Sequence, residues 1–207
     1  MIKQAIIPLA GLGTRLLPLT SVFAKELLPI NGKPGIEYIL DECIEAGIKE
    51  VIFIISQKKL MIKKYFYNDK FYKDIIKHKK DPRIQNEYKK ILKYKKMIKF
   101  VYQDKPLGTG DAVLKTKKLI KDKYFLMLLP DDLIVKQNCS KSMIAVHKKF
   151  NTSVMASMKV NKKEVSRWGI YNVKKKIDNK NFTIKNVVEK PSIKKAPSNN
   201  AVIGRYI

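Results

Sequence analysis

Two cations and an acidic pair are the residues in this sequence best placed to do chemistry. The run AIIPLAGLGTRLLPLTSVFAKELLP passes from apolar residues into Gly11-Leu12-Gly13, then to Arg15 and Lys25. A glycine turn after an apolar strand is a place where ligand phosphates approach the backbone. A dinucleotide fingerprint needs a third glycine where Leu16 stands, and the Gly-Lys-Ser/Thr ending of a P-loop is missing. What remains is close backbone approach to a ligand, with Arg15 and Lys25 holding a polyphosphate and offsetting charge that develops on it. A structural turn that happens to carry two surface cations is the alternative.

Asp131-Asp132 come directly after an apolar run, where open α/β sheets place their ligands. One carboxylate there suits Mg²⁺, which keeps waters and bridges to substrate phosphates, so that one or two protein carboxylates suffice. A plain acidic turn explains the same pair. Glu189-Lys190-Pro191 ends another apolar run. Its glutamate can accept from sugar hydroxyls and its lysine can meet a sugar phosphate, although alone the triplet reads better as a surface turn. Gly169, in SRWGIYNV, permits close approach by a ligand. His78 and His147 form no catalytic pair; His147 shares a helix face with Met143 and Phe150, which points to packing. The chemistry is not histidine-driven.

The elements that must position these residues follow from hydrophobic period. Lys3 to Pro8 reads as a buried strand. Ile36, Ile39, Leu40, Cys43 and Ile44 then share one face of a helix that begins near Gly35 and ends at Gly47. Glu50 to Ile55 is a second strand, and strand–helix–strand with short joints predicts a βαβ unit in a mostly parallel sheet. Residues 58–97 carry helical spacing broken near Asp81-Pro82, and read as an excursion from the sheet. Further strands are expected at Ile98–Gln103, Tyr124–Leu129 and Ser153–Lys159, with a helix over Ser140–Phe150. WGIYNV and FTIKNVVEKP also read as strands. No repeat or long linker divides residues 1–207, which form one domain.

The chain has 207 residues, 45% of them hydrophobic, enough for a substantial core. No apolar run is long enough to span a bilayer, and the N-terminus lacks the pattern of a secretory signal. Cys43 and Cys139 lack metal-site spacing and read as buried free thiols, so a cytoplasmic location is expected. The net charge of +26 favours encounters with anions. However, arginine, the usual residue for bidentate phosphate and base contacts, occurs only at Arg15, Arg83, Arg167 and Arg205. The scattered lysines therefore read mainly as solvated faces, with no specific nucleic-acid partner and no membrane partner expected.

Taken together, AGLGTRLLPLT, AKELLPINGKP, YQDKPLGTGDAV, LLPDDL, SRWGI, VVEKP and APSNNAVIGRY stand in the order found in one family. The sequence resembles the bacterial UTP–glucose-1-phosphate uridylyltransferases, also called UDP-glucose pyrophosphorylases. The resemblance implies a Rossmann-like mixed, mostly parallel sheet flanked by helices, of the sugar-nucleotide pyrophosphorylase type. It also implies the reaction UTP plus glucose 1-phosphate to UDP-glucose plus pyrophosphate, with Mg²⁺ as cofactor. By carry-over, Ala10 and Gly11 contact the nucleotide through the backbone, Arg15 engages the triphosphate and Lys25 helps hold phosphate groups. Gln103 and the backbone of Gly108 read uracil, Glu26 orients the loop or meets the ribose, and Asp131 is the metal ligand. Gly169 and Glu189 meet the glucose hydroxyls, Lys190 meets the glucose 1-phosphate, and Arg205 supports the sugar-side loop or closes the fold.

The sequence also departs from the family. Ala24 replaces a common proline, and Thr109 and Asp111 vary the loop around Gly108 and Gly110. In that family a further strand, a second acidic metal ligand and C-terminal helices used in assembly follow the point where this sequence stops. The expectation is therefore a C-terminally incomplete nucleotidyltransferase domain, with a homo-oligomer expected of the longer protein. A thymidylyltransferase or other sugar-nucleotide pyrophosphorylase, an inactive truncated remnant and a basic polyanion-binding module stand as alternatives.

Overall fold

The computed structural model describes residues 2–207. Strands β1 (Gln4–Pro8), β4 (Glu50–Ile55), β5 (Ile98–Tyr102) and β6 (Leu126–Leu128) are parallel, in the order β5-β4-β1-β6. The sheet continues from β6 into β10 (Asn200–Tyr206), β8 (Gly169–Lys176) and β9 (Phe182–Glu189), all antiparallel to their neighbours, while β7 (Met155–Lys159) also pairs with β10. A separate hairpin joins β2 (Pro29–Ile30) to β3 (Lys33–Pro34). The helices are α1 (Gly35–Glu45), α2 (Leu60–Tyr67), α3 (Asp69–His78), α4 (Pro82–Lys95), α5 (Gly108–Lys115) and α6 (Cys139–Phe150). The expected mixed sheet with flanking helices is the fold observed, but the sheet is parallel only over β5-β4-β1-β6. It is antiparallel over β7–β10, because the later strands are joined by hairpin-like returns and not by crossover helices.

The central strands are buried on both faces, which explains why they read as unbroken apolar runs. Ala5, Ile7, Val51, Phe53 and Ile55 face the main core beneath α1, and Ile6 and Ile54 face Ala112 of α5 on the other side. Helix α1 seats the predicted stripe of Ile36, Ile39, Leu40 and Cys43 in that core. The 58–97 segment is anchored there too, through Phe66 of α2 and Ile91 and Tyr94 of α4, whereas α3 buries no residue. The break at Asp81-Pro82 is a helix start: the Asp81 carboxylate accepts from the Arg83 N–H at 2.8 Å, and Pro82 occupies the first turn, where its missing N–H is harmless.

Two elements went unpredicted. Strand β10 runs through the middle of the antiparallel half, although PSNNAVIGRYI lacks clean alternation in its sequence. The β2–β3 hairpin turns on Asn31 and Gly32, both at positive φ, and the Asn-Gly pair is a signal for such a turn. The strand expected over Tyr124–Leu129 is shorter, covering Leu126–Leu128. Of the two thiols, Cys43 is buried and Cys139 only partly so.

Candidate functional site

The glycine loop leaves β1 at Pro8 and is pinned at once by Leu9, whose N–H donates to the Ile54 carbonyl at 2.7 Å. Its two glycines have different reasons. Gly13 has φ of 68°, a left-handed conformation that disfavours any side chain, and the Thr20 hydroxyl donates to its carbonyl at 2.9 Å. Gly11 is exposed, and the place where a Cβ would stand is open space, which leaves its backbone approachable. Ala10 is partly exposed beside it. Arg15 sits in the short 3-10 turn Thr14–Leu16, exposed and with no carboxylate partner among the described residues.

Lys25 and Asp131, far apart in sequence, meet at the carboxyl ends of β1 and β6. Lys25 Nζ lies 3.2 Å from Asp131 Oδ2, and the Asp131 side chain is exposed. Its neighbour Asp132 is committed elsewhere, because its Oδ2 accepts from the Gly204 N–H at 2.6 Å. Strand β10 thus fixes the acidic turn: the Leu129 N–H also donates to the Gly204 carbonyl, at 2.8 Å. This division suits a cation held by one carboxylate and completed by substrate oxygens. No group of three or more His, Cys, Asp or Glu side chains with metal-holding geometry exists among the described residues.

Glu26 is turned the other way. It is 4% exposed, and both of its carboxylate oxygens accept from Lys59 Nζ at 2.8 Å. Lys59 closes the 3-10 turn after β4 and is itself 6% exposed. Burial pushes the Lys59 ammonium below the ordinary lysine range against the pull of Glu26, and the nearby charge of Lys25 adds to the depression. Of its two expected roles, Glu26 is in the position of an orienting group, holding the 3-10 turn Lys25–Leu27 against the sheet.

Gln103 leaves β5 with its N–H bonded to the Ile55 carbonyl at 2.9 Å, and its side-chain amide donates to the Gly108 carbonyl at 3.1 Å and Asp111 at 2.7 Å. Gly108 has φ of 88° and opens α5. On the other side, β8 and β9 place Gly169 directly opposite Glu189. A Cβ on Gly169 would stand 3.1 Å from Glu189 Oε2, so glycine keeps the carboxylate where it is. Lys190 follows at φ of 43°, its N–H bonded to the Trp168 carbonyl at 3.0 Å and its ammonium 3.8 Å from Glu189 Oε1.

Register brings the two sides to one end of the sheet. The exit of β6 lies against Gly204 and the start of β8 against Val202 of the same strand, β10. Tyr206, which no sequence signal marked, senses both sides: burial pushes its phenol above the ordinary range, with the charges of Asp132, Asp131 and Glu189 adding.

Arg205 takes up one of the roles expected for it and leaves no group for sugar-phosphate binding. It is fully buried, with every guanidinium N–H engaged: it donates to both oxygens of Glu42 on α1 and to the carbonyls of Leu129, Asp132 and Gly204. No donor remains for a sugar phosphate. Of the two roles expected for it, closing the fold is the one it fills, since the buried Glu42 demands a cation. His147 is also structural, its Nδ1 2.8 Å from the Thr152 carbonyl and its ring 4.5 Å from that of Tyr124.

Two surface hollows, of about 480 and 390 Å³, lie between α3 and α4 and between α1 and the segment 134–138, and none of the candidate site residues lines them. The candidate site is instead an open rim of loops at the strand ends, the place where an open α/β sheet binds its ligand.

Strand order and site position together define an α/β nucleotide-binding fold of the nucleotidyltransferase type. The family model described as "Nucleotidyl transferase" matches residues 4–207, and the chain belongs to that family. It is an enzyme of the sugar-nucleotide pyrophosphorylase class. Among its relatives, the UTP–glucose-1-phosphate uridylyltransferase of Streptococcus pyogenes is 35% identical over all of this chain and 69% of its own length. The UTP-bound UGPase from Acinetobacter baumannii superposes with a TM-score of 0.91 at 32% identity, covering all of this chain and 74% of that one. A UDP-glucose pyrophosphorylase complexed with UDP-glucose gives 0.82 at 34% identity, covering all of this chain and 75% of that one. A thymidylyltransferase structure from Bacillus anthracis, 20% identical, shares the fold alone. No helix among the described residues is long and apolar enough to cross a membrane.

Proposed function

We propose that the chain transfers a uridylyl group from UTP to α-D-glucose 1-phosphate, giving UDP-glucose and pyrophosphate. The meeting of Lys25 with Asp131 at 3.2 Å is the observation that carries the reading, and Arg15, exposed in the loop between β1 and Lys25 and with no carboxylate partner among the described residues, supplies a second cation. It joins cations for a triphosphate to a carboxylate for its metal, at the end of the sheet where a nucleotide binds. The uridylyltransferase and UDP-glucose names of the relatives support uracil as base and glucose as sugar.

In this reading a phosphate oxygen of glucose 1-phosphate attacks the α-phosphorus of UTP. The bond from that phosphorus to the bridging oxygen breaks, and pyrophosphate leaves with the electron pair. Such a displacement needs alignment and charge compensation more than a protein nucleophile. Arg15 and Lys25 hold the β and γ phosphates and stabilise the leaving pyrophosphate. Gly11 and Ala10 let the nucleotide approach the backbone, while Gln103 and Gly108 receive the base. Gly169 and Glu189 meet the sugar hydroxyls and Lys190 its phosphate, bringing the attacking oxygen into line. Asp131 would hold Mg²⁺, which supplies charge neutralisation on the phosphates when bound.

A panel of nucleoside triphosphates, each offered with glucose 1-phosphate and Mg²⁺ and followed by pyrophosphate release, tests the assignment. UTP is expected to be the preferred donor. Substantial turnover of dTTP with none of UTP would overturn it in favour of thymidylyl transfer.

A further inference from the structure

Asp111, in the first turn of α5, accepts a hydrogen bond from the Gln103 side chain. We infer that Asp111 is a positioning residue for base specificity: it holds the Gln103 amide one way round, so that the base subsite accepts an imide edge and rejects cytosine. The inference rests on the reading of Gln103 and Gly108 as the base-binding pair.

The orientation follows from what each partner can do. Gln103 Nε2 lies 2.7 Å from Asp111 Oδ2 and 3.1 Å from the Gly108 carbonyl oxygen. A carboxylate and a carbonyl can only accept, so the amide group between them must be the NH2. Turning the amide over would set its oxygen against two other oxygens. Both Nε2 hydrogens are therefore used, and the carboxylate makes one of the two bonds charge-assisted and the stronger. Gln103 is 7% exposed and seated by its own backbone, so little else about it can adjust.

The consequence lies at the other end of the amide. Gln103 Oε1 takes no donor from the described residues and is left as a fixed acceptor. The Gly108 carbonyl is spent on Gln103, which leaves the Gly108 N–H, at the first turn of α5, as the group free to donate. A neighbouring acceptor and donor match an imide edge, whose ring N–H donates and whose carbonyl accepts. Uracil and thymine both carry that edge. Cytosine in the same placement turns a ring lone pair toward Oε1, and only a flipped amide could meet it. Asp111 opposes that flip. A site built around a specific hydrogen bond rejects a ligand that leaves its buried group unmatched.

The test is kcat/KM for UTP, dTTP and CTP in the wild type and in Asp111→Ala, Asp111→Leu and Asp111→Asn. The wild type is expected to favour UTP over CTP. The Ala and Leu variants should lower the UTP-to-CTP ratio by about tenfold, the scale of one lost orienting bond. Their UTP-to-dTTP ratio should stay unchanged, because those bases share the imide edge. Asp111→Asn should give an intermediate ratio, since its amide oxygen can accept from Nε2 but its NH2 can equally donate to a flipped Gln103. Both residues keep helix propensity and Leu fills space that Ala leaves, so a folding failure in one leaves the other to report. Melting shifts with the same three nucleotides read the same preferences by binding.

An unchanged UTP-to-CTP ratio in Ala and Leu overturns the inference alone, as does a fall in which dTTP selectivity moves equally. A wild type that uses and binds CTP as well as UTP sinks the uridylyl reading itself, and the role of Asp111 with it.

Discussion

Lys25 and Glu26 are adjacent in sequence and opposite in placement. Lys25 reaches the rim and meets Asp131, while Glu26 goes under the loop to Lys59. Removing Lys59 alone strands a buried carboxylate, so Lys59→Met should destabilise the chain by about 3–5 kcal/mol, as for other broken buried pairs. Adding Glu26→Gln should recover part of that loss, because the stranded charge is then gone. Denaturant unfolding of the two single variants and the double checks this, and simple additivity would contradict the pairing. Arg15, Lys25 and the Asp131-Asp132 pair stood out by residue type and spacing, while the choice of Asp131 within the pair came from the resemblance. Lys59 was not, because it sits in SQKKLMIKK, where nothing in the sequence separates one lysine from the next. Its role appears only once Glu26 is known to be buried. The choice between the two roles of Arg205 was not legible for the converse reason: its partner Glu42 lies on α1, at the far end of the sequence.

Strand β10 does the most to position the site, and it was the element least visible in the sequence. It carries Gly204, whose N–H binds Asp132 and whose carbonyl holds Leu129. A Cβ there would stand 2.5 Å from Leu129 Cβ and 2.9 Å from Asp132 Oδ2. Gly204→Ala should therefore cost about 1–3 kcal/mol, the range for overpacking, and should lower turnover by displacing the acidic turn. Thermal melting and pyrophosphate release measured together check this; a variant that melts and turns over like the wild type would contradict it. The βαβ core was readable because strands buried on both faces and an amphipathic α1 each leave a clear periodicity. Strand β10 leaves none, since a buried arginine and a packing glycine replace the alternating apolar residues. The Ala24 departure also becomes intelligible at this scale. Ala24 has φ of −68°, already that of proline, and its N–H meets Met61 Sδ at 3.1 Å, near where a proline ring would sit.

Across the whole molecule the basic charge is organised by a few buried carboxylates. Glu26, Glu37 and Glu42 each take a cation from a distant element, Lys59, Lys90 and Arg205 respectively. These pairs tie α1 and the glycine loop to the rest of the core, and most other lysines remain on solvated faces. A positive field of this kind draws anions without selecting among them. In the proposed function selection belongs to the rim, where Arg15 has no carboxylate partner among the described residues and Lys25 meets the exposed Asp131. The central claim is that Lys25 stabilises the phosphates of the nucleotide donor during transfer, rather than merely adding to the general charge. The most direct test is pyrophosphate release from UTP and glucose 1-phosphate with Mg²⁺, comparing the purified chain with its Lys25→Ala variant at equal folded concentration. The wild type should release pyrophosphate and form UDP-glucose, with kcat falling by about a hundred- to a thousandfold in the variant, the scale for losing one charge-stabilising group. Release at the same rate from both proteins, or none from the wild type above the variant, would contradict the account.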